Sequence, residues 1–340
     1  MANTTILIDD VVKELNTFLS HNPTLISASL NRAEITLDKH TKPLTKIKGK
    51  YPQTHTLLED VVQGFSNEWT ELGKLQIEHK ILTDYHQKVN FSIIPSEILH
   101  SYYAELYEEN KKPEDMPISK YIIENELLPK VLDNMQTLSI SGVYDPARKN
   151  EFGFSMNGIE TILAAMVDRD TPPAHPAFEI PLNALTDANI VDEVTAFERK
   201  LPSKLKKKIK KIFMSENNFE RYVLQYEDQF GQNKFQGDVM KTRLGKREIV
   251  VLEGMESDVI FGTTENNFRN LKDVFDKPQI TDIQKQDYKV KIFMEWWKGY
   301  DFLINQMVVI SNYTDVRYGL GTTADNKKYF GIDGVNEPAA

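Results

Sequence analysis

The spacing of hydrophobic positions changes several times along the chain, and each change marks a different kind of element. Between Asp9 and Leu19, the residues Val11, Val12, Leu15, Phe18 and Leu19 fall near helical spacing. After Pro23 the chain turns polar and rich in Lys and Thr through 36–50, with Pro43, Gly49 and Pro52 as breakers. Such a segment buries little by itself and reads as an arm or linker ordered by something else. From Trp69 to Ile94 the period falls to two. Leu75 and Ile77 alternate with Lys74, Gln76 and Glu78; Val89, Phe91 and Ile93 then alternate with Lys88, Asn90 and Ser92. Joined through the polar stretch 83–88, these strands predict a long hairpin. Two strands alone are marginal in water, so the hairpin must lie on something else.

Helical spacing returns after Pro95. One helix carries Ile98, Tyr102, Tyr103 and Leu106 and ends before Pro113; a second, from Ser119 to about Leu138, carries Tyr121, Ile122, Leu128, Leu132 and Met135. Pro129 lies inside that stripe and predicts a kink or break, with Gly142 as the stop. Residues 145–190 are rich in Gly and Pro around one short helical run, 159–167, and a domain boundary falls near Pro181. Three helices are then expected: 191–200, 203–213, and one capped by Ser215 with Phe219, Tyr222, Val223, Tyr226 and Phe230 inward and Gly231 closing it. The last third reads as strands. Segments 249–252 and 259–261 flank a turn, Tyr288 to Trp296 alternate until Gly299 breaks the run, and Phe302, Ile304, Val308 and Ile310 resume it. The tail from Thr314 is rich in Gly, Asn and Asp and reads as surface. The fold class is α+β.

Composition narrows the chemistry. At 340 residues the chain has room for two or three domains, and 40% hydrophobic with 27% charged residues is an ordinary globular balance. No stretch approaches the ~18 consecutive apolar residues of a membrane span. Met1 to Asp10 lacks the basic start of a secretory signal. The absence of cysteine removes disulfides, thiolate metal sites and cysteine nucleophiles. A net charge of −9 argues against a molecule built to coat DNA, although an acidic protein can enclose DNA without gripping it.

No catalytic set emerges. The histidines (His21, His40, His55, His79, His86, His100 and His175) show no metal-binding helical spacing and read as solvent-facing. Gly319-Leu320-Gly321-Thr322-Thr323-Ala324 matches a loose dinucleotide pattern, but no amphipathic helix is expected after it to hold a pyrophosphate. Asp168-Arg169-Asp170 and Glu253, Glu256 and Asp258 are acidic clusters of the kind common in solvated turns. No catalytic residue, cofactor or metal site is expected. The strongest charge feature is Lys204, Lys206, Lys207, Lys208, Lys210 and Lys211, read as the polar face of the 203–213 helix. Lys204, Lys207, Lys208 and Lys211 on it would meet phosphates or an acidic partner.

The C-terminal half carries a resemblance. A capped helix over 215–230 is followed by strand 249–252 and the turn Gly254-Met255. Then come Val259-Ile260-Phe261-Gly262-Thr263-Thr264-Glu265-Asn266-Asn267-Phe268 and Asn270-Leu271-Lys272-Asp273, and last two strands around Gly299-Tyr300-Asp301-Phe302 to Val308-Val309-Ile310. This order resembles the end of tailed-phage major capsid proteins of the Hong Kong 97-like fold. The resemblance implies an N-terminal arm (1–65), an extended β-hairpin loop (66–94) and a peripheral domain with a spine helix (95–185). It further implies an axial domain (186–265), a return to the peripheral sheet (266–313) and a C-terminal tail (314–340). It implies no enzyme activity, but a homo-oligomer of hexamers and pentamers closing an icosahedral shell around packaged double-stranded DNA. Portal, scaffold and decoration proteins would be partners, the site the virion, and the place of assembly the host cytoplasm, without a membrane. Trp69, Lys74, Lys88 and Phe91 are the expected inter-subunit contacts. The alternatives are an encapsulin-type compartment shell and a nucleic-acid-binding protein using the lysine face.

Overall fold

The computed structural model describes residues 35–94, 127–231, 240–273, 279–286 and 289–333. The chain runs through α1 (Thr36–His40), β1 (Lys42–Leu44), β2 (Lys50–Leu58), β3 (Leu75–Thr83) and β4 (Tyr85–Ile93). It continues through α2 (Leu128–Ser141), α3 (Ile159–Met166), β5 (Phe178–Pro181), α4 (Ile190–Lys200), α5 (Ser203–Lys206), β6 (Ile209–Ser215) and α6 (Glu216–Phe230). The last third holds β7 (Glu248–Leu252), β8 (Phe261–Thr264), β9 (Phe268–Lys272), β10 (Gln279–Gln286), β11 (Lys289–Phe302), β12 (Val308–Asn312) and α7 (Thr323–Phe330). The helices expected over 9–19 and 95–113 lie outside the described residues.

Three sheets result. One has the order β1-β9-β11-β10 with β4 also on β11, a second the order β5-β12-β8-β6-β7, and β2 with β3 forms a third alone. The second sheet is buried on both faces, which alternation along each strand makes possible. Phe213, Val250, Phe261 and Val308 enter one core with Met135 and Leu138 of α2 and Ile159 and Leu163 of α3. Their neighbours Ile212, Met214, Ile249 and Val309 enter a second core with Val194 and Phe197 of α4, Tyr222 of α6 and Phe330 of α7. Stacked and edge-on rings tie the first two sheets together: Phe213 on Phe261 at 4.7 Å, Phe261 against Phe302 at 6.4 Å, and Phe302 on Phe268 at 4.5 Å.

Several helices form where the spacing placed them. In α6 the Ser215 hydroxyl accepts from Asn218 N at 3.3 Å, and Gly231 ends the helix in the left-handed region at φ 60°. Pro129 is the second residue of α2 and follows Leu127, whose backbone is already helical.

Other elements differ, each for a physical reason. The polar segment 36–50 is no loose arm: Leu37 and Ile47 are buried, and β1 pairs parallel with β9. The expected hairpin is built one strand earlier. β3 pairs with β2 from Lys50↔Thr83 to Leu58↔Leu75, whereas β4 crosses to β11 from Val290↔Ile93 to Lys298↔Tyr85. Pro52 does not prevent this, because β2 is an edge strand whose far side needs no donor. The 203–213 helix stops at Lys206, since the β-branched Ile209 and Ile212 are drawn into β6 between β7 and β8. The tail forms α7, and its Tyr329 and Phe330 are core residues.

Gly299 does not break β11 either; the strand runs through it to Phe302. A Cβ at Gly299 would lie 2.9 Å from both Thr83 O and Asp84 Cα, so the β3–β4 corner packs directly on the β11 backbone. Gly299→Ala is expected to cost about 1–3 kcal/mol as overpacking. Urea denaturation checks this, and an unchanged midpoint would show that the corner yields freely.

Candidate assembly surface

The β2–β3 hairpin wears its amphipathicity inside out. The face turned to the body carries Gln53 and His55 of β2 and Gln76, Glu78 and Lys80 of β3, with Tyr51, Leu57 and Leu82 as its apolar side chains. The outward face pairs Pro52 with Ile81, Thr54 with His79, Thr56 with Ile77 and Leu58 with Leu75. Leu58 and Leu75 are each 62% exposed, Ile81 59% and Ile77 55%. A soluble strand normally shows the opposite pattern.

Charge holds the inner face down. Lys80 Nζ donates to Asp301 Oδ1 at 2.5 Å, Phe302 O at 2.6 Å and Asn305 Oδ1 at 2.5 Å. Burial pulls the Lys80 ammonium down from its ordinary value, and the Asp301 carboxylate opposes that pull. Further along, Lys328 of α7 pairs with Glu78 at 2.5 Å and holds that carboxyl below its ordinary value. His55 Nε2 lies 3.0 Å from the Tyr329 hydroxyl, and His175 Nε2 lies 2.9 Å from His79 O. Burial lowers His55 from its ordinary value, so the imidazole bonds as a neutral ring near neutral pH. At the hairpin's root, Asp84 takes a hydrogen bond from Gly49 N and donates its own N–H to Gly49 O at 2.9 Å. Burial pushes the Asp84 carboxyl up to about 6.

The tip, residues 59–74, is closed by its own side chains. Gln63 Nε2 donates to Thr70 O at 2.7 Å, and Thr70 Oγ1 donates back to Gln63 Oε1 at 2.9 Å. This loop presents Phe65 at 96% exposure, Val62 at 91% and Trp69 at 86%. Burying a large apolar side chain contributes about 1.5–3 kcal/mol. The outward ladder and tip together therefore leave on the order of 10 kcal/mol of burial unrealised in a lone chain, more than scattered exposure accounts for.

Comparison with known proteins supplies the context. No protein-family model and no curated protein matches the chain. Solved structures do. The chain is similar to the "Cyanophage A-1(L) capsid asymmetric unit", with 10% identity over 82% of this chain and 92% of that one and a TM-score of 0.53. It is similar to a structure of Gordonia phage Cozz at 12% identity over 82% and 86%, TM-score 0.51. The capsid of an empty GTA particle matches at 12% identity over 81% and 94%, with the same TM-score of 0.51. The fold is the Hong Kong 97-like capsid fold.

On this Hong Kong 97-like fold the residues singled out from sequence fall apart into groups. Trp69 and Lys74 are exposed on the hairpin tip. Lys88 and Phe91 are not on the hairpin but on β4, paired with Glu295 and Ile292 of β11; Lys88 is exposed, and Phe91 packs on the first core. The lysines share no helical face, because α5 ends among them. Lys204 Nζ reaches Tyr329 O at 3.4 Å, and Lys211 Nζ reaches His40 Nδ1 at 3.1 Å. Lys206 binds Arg199 O at 3.1 Å and Lys210 pairs with Glu265 at 2.8 Å, which leaves Lys207 and Lys208 exposed at the turn. His40 and His55 are half-buried and bonded, not solvent-facing.

Of the acidic clusters, the first serves a turn. Asp168 Oδ1 accepts from the amides of Asp170 and Thr171, and Arg169 forks onto Glu179 at 2.7 and 2.5 Å. The amides of Glu256 and Ser257 donate to Glu160. A helix, α7, does follow the Gly319–Ala324 pattern, contrary to expectation. Its first turn is capped by Thr322, whose Oγ1 accepts from Asp325 N at 3.1 Å, and Leu320 N in the preceding loop donates to Asn326 Oδ1 at 2.8 Å. Among the described residues no group of three or more His, Asp or Glu could hold a metal ion. What sequence reading missed is β2, Lys80 and the rest of the apolar tip beyond Trp69; the signal was Val61, Val62 and Phe65 standing with Trp69 in an otherwise polar loop.

Two outcomes follow from the clasp and the root. Lys80→Met strands the buried Asp301 carboxylate and should cost about 3–5 kcal/mol, read by chemical denaturation. Asp84 has a folded pKa raised from 3.8 to about 6, so the folded chain binds its proton first and gains stability as pH falls from about 6 toward 4. Asp84→Asn keeps an acceptor for Gly49 N and removes that gain. The slope of stability against pH in this window should become less acid-favouring than in the wild type.

Proposed function

We propose that the chain is a major capsid protein, the repeating subunit of an icosahedral shell that encloses packaged double-stranded DNA. One observation carries this: a hairpin clamped by buried charge to its own body while it offers an apolar ladder and an aromatic tip outward. Such a surface is stable only against a neighbour, and obligate contacts of that kind bury on the order of 2,000 Å² or more. The shared backbone course of capsid structures from several phages supports the same reading.

In this reading the 50–83 hairpin is the extended loop and α2 the spine. The sheet around β11 belongs to the peripheral domain. The second sheet with α4 and α6 is the axial domain, which meets its copies around hexamer and pentamer axes. Portal, scaffold and decoration proteins belong to the same reading, as does location in the virion after assembly in the host cytoplasm. No enzymatic role belongs to this reading. The net charge of −9 suits a wall that encloses nucleic acid without gripping it.

Negative-stain electron microscopy of the expressed full chain should show closed particles or capsomers. A chain that stays monomeric across salt and concentration would sink the proposal, and particles that carry a co-purified enzyme and no genome would point to an encapsulin-type compartment. Ile77→Asp with Ile81→Asp should give a folded monomer with wild-type circular dichroism and no particles, because only the outward face is changed.

A further inference from the structure

Two basic segments that lie far apart in sequence meet at one end of the second sheet. Eight of the thirteen residues 199–211 and four of the seven residues 241–247 are Lys or Arg, and neither segment contains Asp or Glu. In a chain of net charge −9, these twelve cations leave the remaining residues at −21, so basic charge is concentrated here against the sign of the whole. Parallel pairing of Lys211 with Glu248 sets the start of β7 beside β6, which brings the turn before β7 against the turn between α5 and β6. A buried bracket fixes the two turns together. Arg247, 3% exposed, donates from Nη1 to Glu198 Oε1 at 2.9 Å and from Nη2 to Lys206 O at 2.6 Å, and Thr242 Oγ1 donates to the same Glu198 oxygen at 2.9 Å. Thr242 N donates to Arg247 O at 2.9 Å and closes the second turn, while Lys206 Nζ ties the first to Arg199 O of α4 at 3.1 Å.

We propose that these two turns form one anchor for the phosphate backbone of double-stranded nucleic acid. The inference rests on the shell reading and adds to it a place where the enclosed duplex is held. Among the described residues, Arg199, Lys207, Lys208, Lys241 and Lys246 are exposed and enter no ion pair. The nearby carboxylates are already taken: Asp192 by Arg243 at 3.0 Å, Glu198 by Arg247 at 2.9 Å and Glu265 by Lys210 at 2.8 Å, with Glu248 lying 3.8 Å from Lys211. Like charges gathered in this way repel one another, and a polyanion that meets them relieves the repulsion and releases its own counterions. The patch offers point charges and no pocket. Its one exposed apolar side chain is Leu244, and neither segment contains an aromatic residue. Single strands are held by stacking on aromatic rings and protein partners by a buried apolar centre, so a duplex, which shows evenly spaced phosphates outward, is the partner that fits. The rest of the chain, at −21, repels DNA, which confines the contact to this patch and leaves the wall as a whole without a coat of nucleic acid.

The full-length variant Ile77→Asp with Ile81→Asp, expected to be a folded monomer, keeps both turns open to solvent and separates binding from assembly. A labelled duplex of mixed sequence should bind it at low salt, read by fluorescence anisotropy. The logarithm of the affinity should fall against the logarithm of salt with a slope of about −3 to −4.5, as neutralising three to five phosphates requires. Adding Lys207→Gln, Lys208→Gln and Lys246→Gln should weaken binding about tenfold or more at low salt and flatten the slope by about 2–3, with circular dichroism unchanged. Lys50→Gln with Lys88→Gln and Lys149→Gln, an equal change of charge on β2, β4 and the turn after α2, should leave both readings as they were. An equal loss in the two triple variants would overturn the anchor, and so would polyglutamate that binds the turns where the duplex does not. A wild-type chain that forms particles while the monomer binds no duplex would overturn the anchor alone. Duplex binding by a chain that never forms particles would sink the shell reading and leave the phosphate contact standing.

Discussion

Everything distinctive in this molecule depends on an ammonium group buried beneath a strand. Lys80 has three acceptors at 2.5–2.6 Å and lies where a soluble hairpin would place leucine or valine. Since side chains alternate along β3, fixing Lys80 inward forces Ile77 and Ile81 outward. A one-residue slip would exchange the faces, but it would bury isoleucines against Asp301 and leave that carboxylate without its cation. The clasp therefore sets the register, and the register sets the exposed ladder. A buried ion pair is weak evidence for stability, but fixing a register is its best-attested use.

The body answers with a sheet that has no free face. β6, β7 and β12 send neighbouring residues into two cores, which gives the apolar runs Ile212-Phe213-Met214, Ile249-Val250-Val251-Leu252 and Val308-Val309-Ile310. The rings of Phe213, Phe261, Phe302 and Phe268 carry the packing from this sheet into the one built on β11. At the far side Gly299 lets the hairpin's root sit on the β11 backbone, and Asp301 and Phe302, two and three residues on, receive Lys80. The hairpin is thus attached through β11, a strand whose buried side chains enter the first core. Its direction is a property of the whole fold and not of a local turn.

How much of this was legible in sequence depended on whether a local rule matched the winning interaction. Ser215 and Gly231 announced both ends of α6, because capping is local. The aromatic run gave part of its face: Tyr222 is buried and Phe219 and Tyr226 pack on the second core, but Phe230 is exposed and Asn218 and Gln225 are buried instead; period two gave β3, β4 and β11. Strand partners were not legible: β3 was assigned to β4 because they adjoin, whereas Asp84 turns the chain between them and β4 leaves for β11. β2 hid behind Pro52 and a Thr- and His-rich alternation, since an edge strand that exposes its outer face needs no apolar period. The basic run looked helical by spacing, yet Ile209 and Ile212 also fit a strand, and pairing with β7 and β8 decided it. The expected contact residues Trp69, Lys74, Lys88 and Phe91 were all chosen as hairpin residues; Trp69 and Lys74 lie on the hairpin that forms, whereas Lys88 and Phe91 lie on β4.

The hairpin's stiffness bears on the shell reading. Its two strands pair over nine residues each and are held to the body at Lys80 and Lys328, so its direction relative to the cores is set by fixed contacts and not by a flexible linker. A contact between unlike patches makes an open filament unless the rotation per step returns to its start. On the shell reading, a surface held in one direction would restrict the angle between successive copies to a narrow range, which closure of a ring or shell requires.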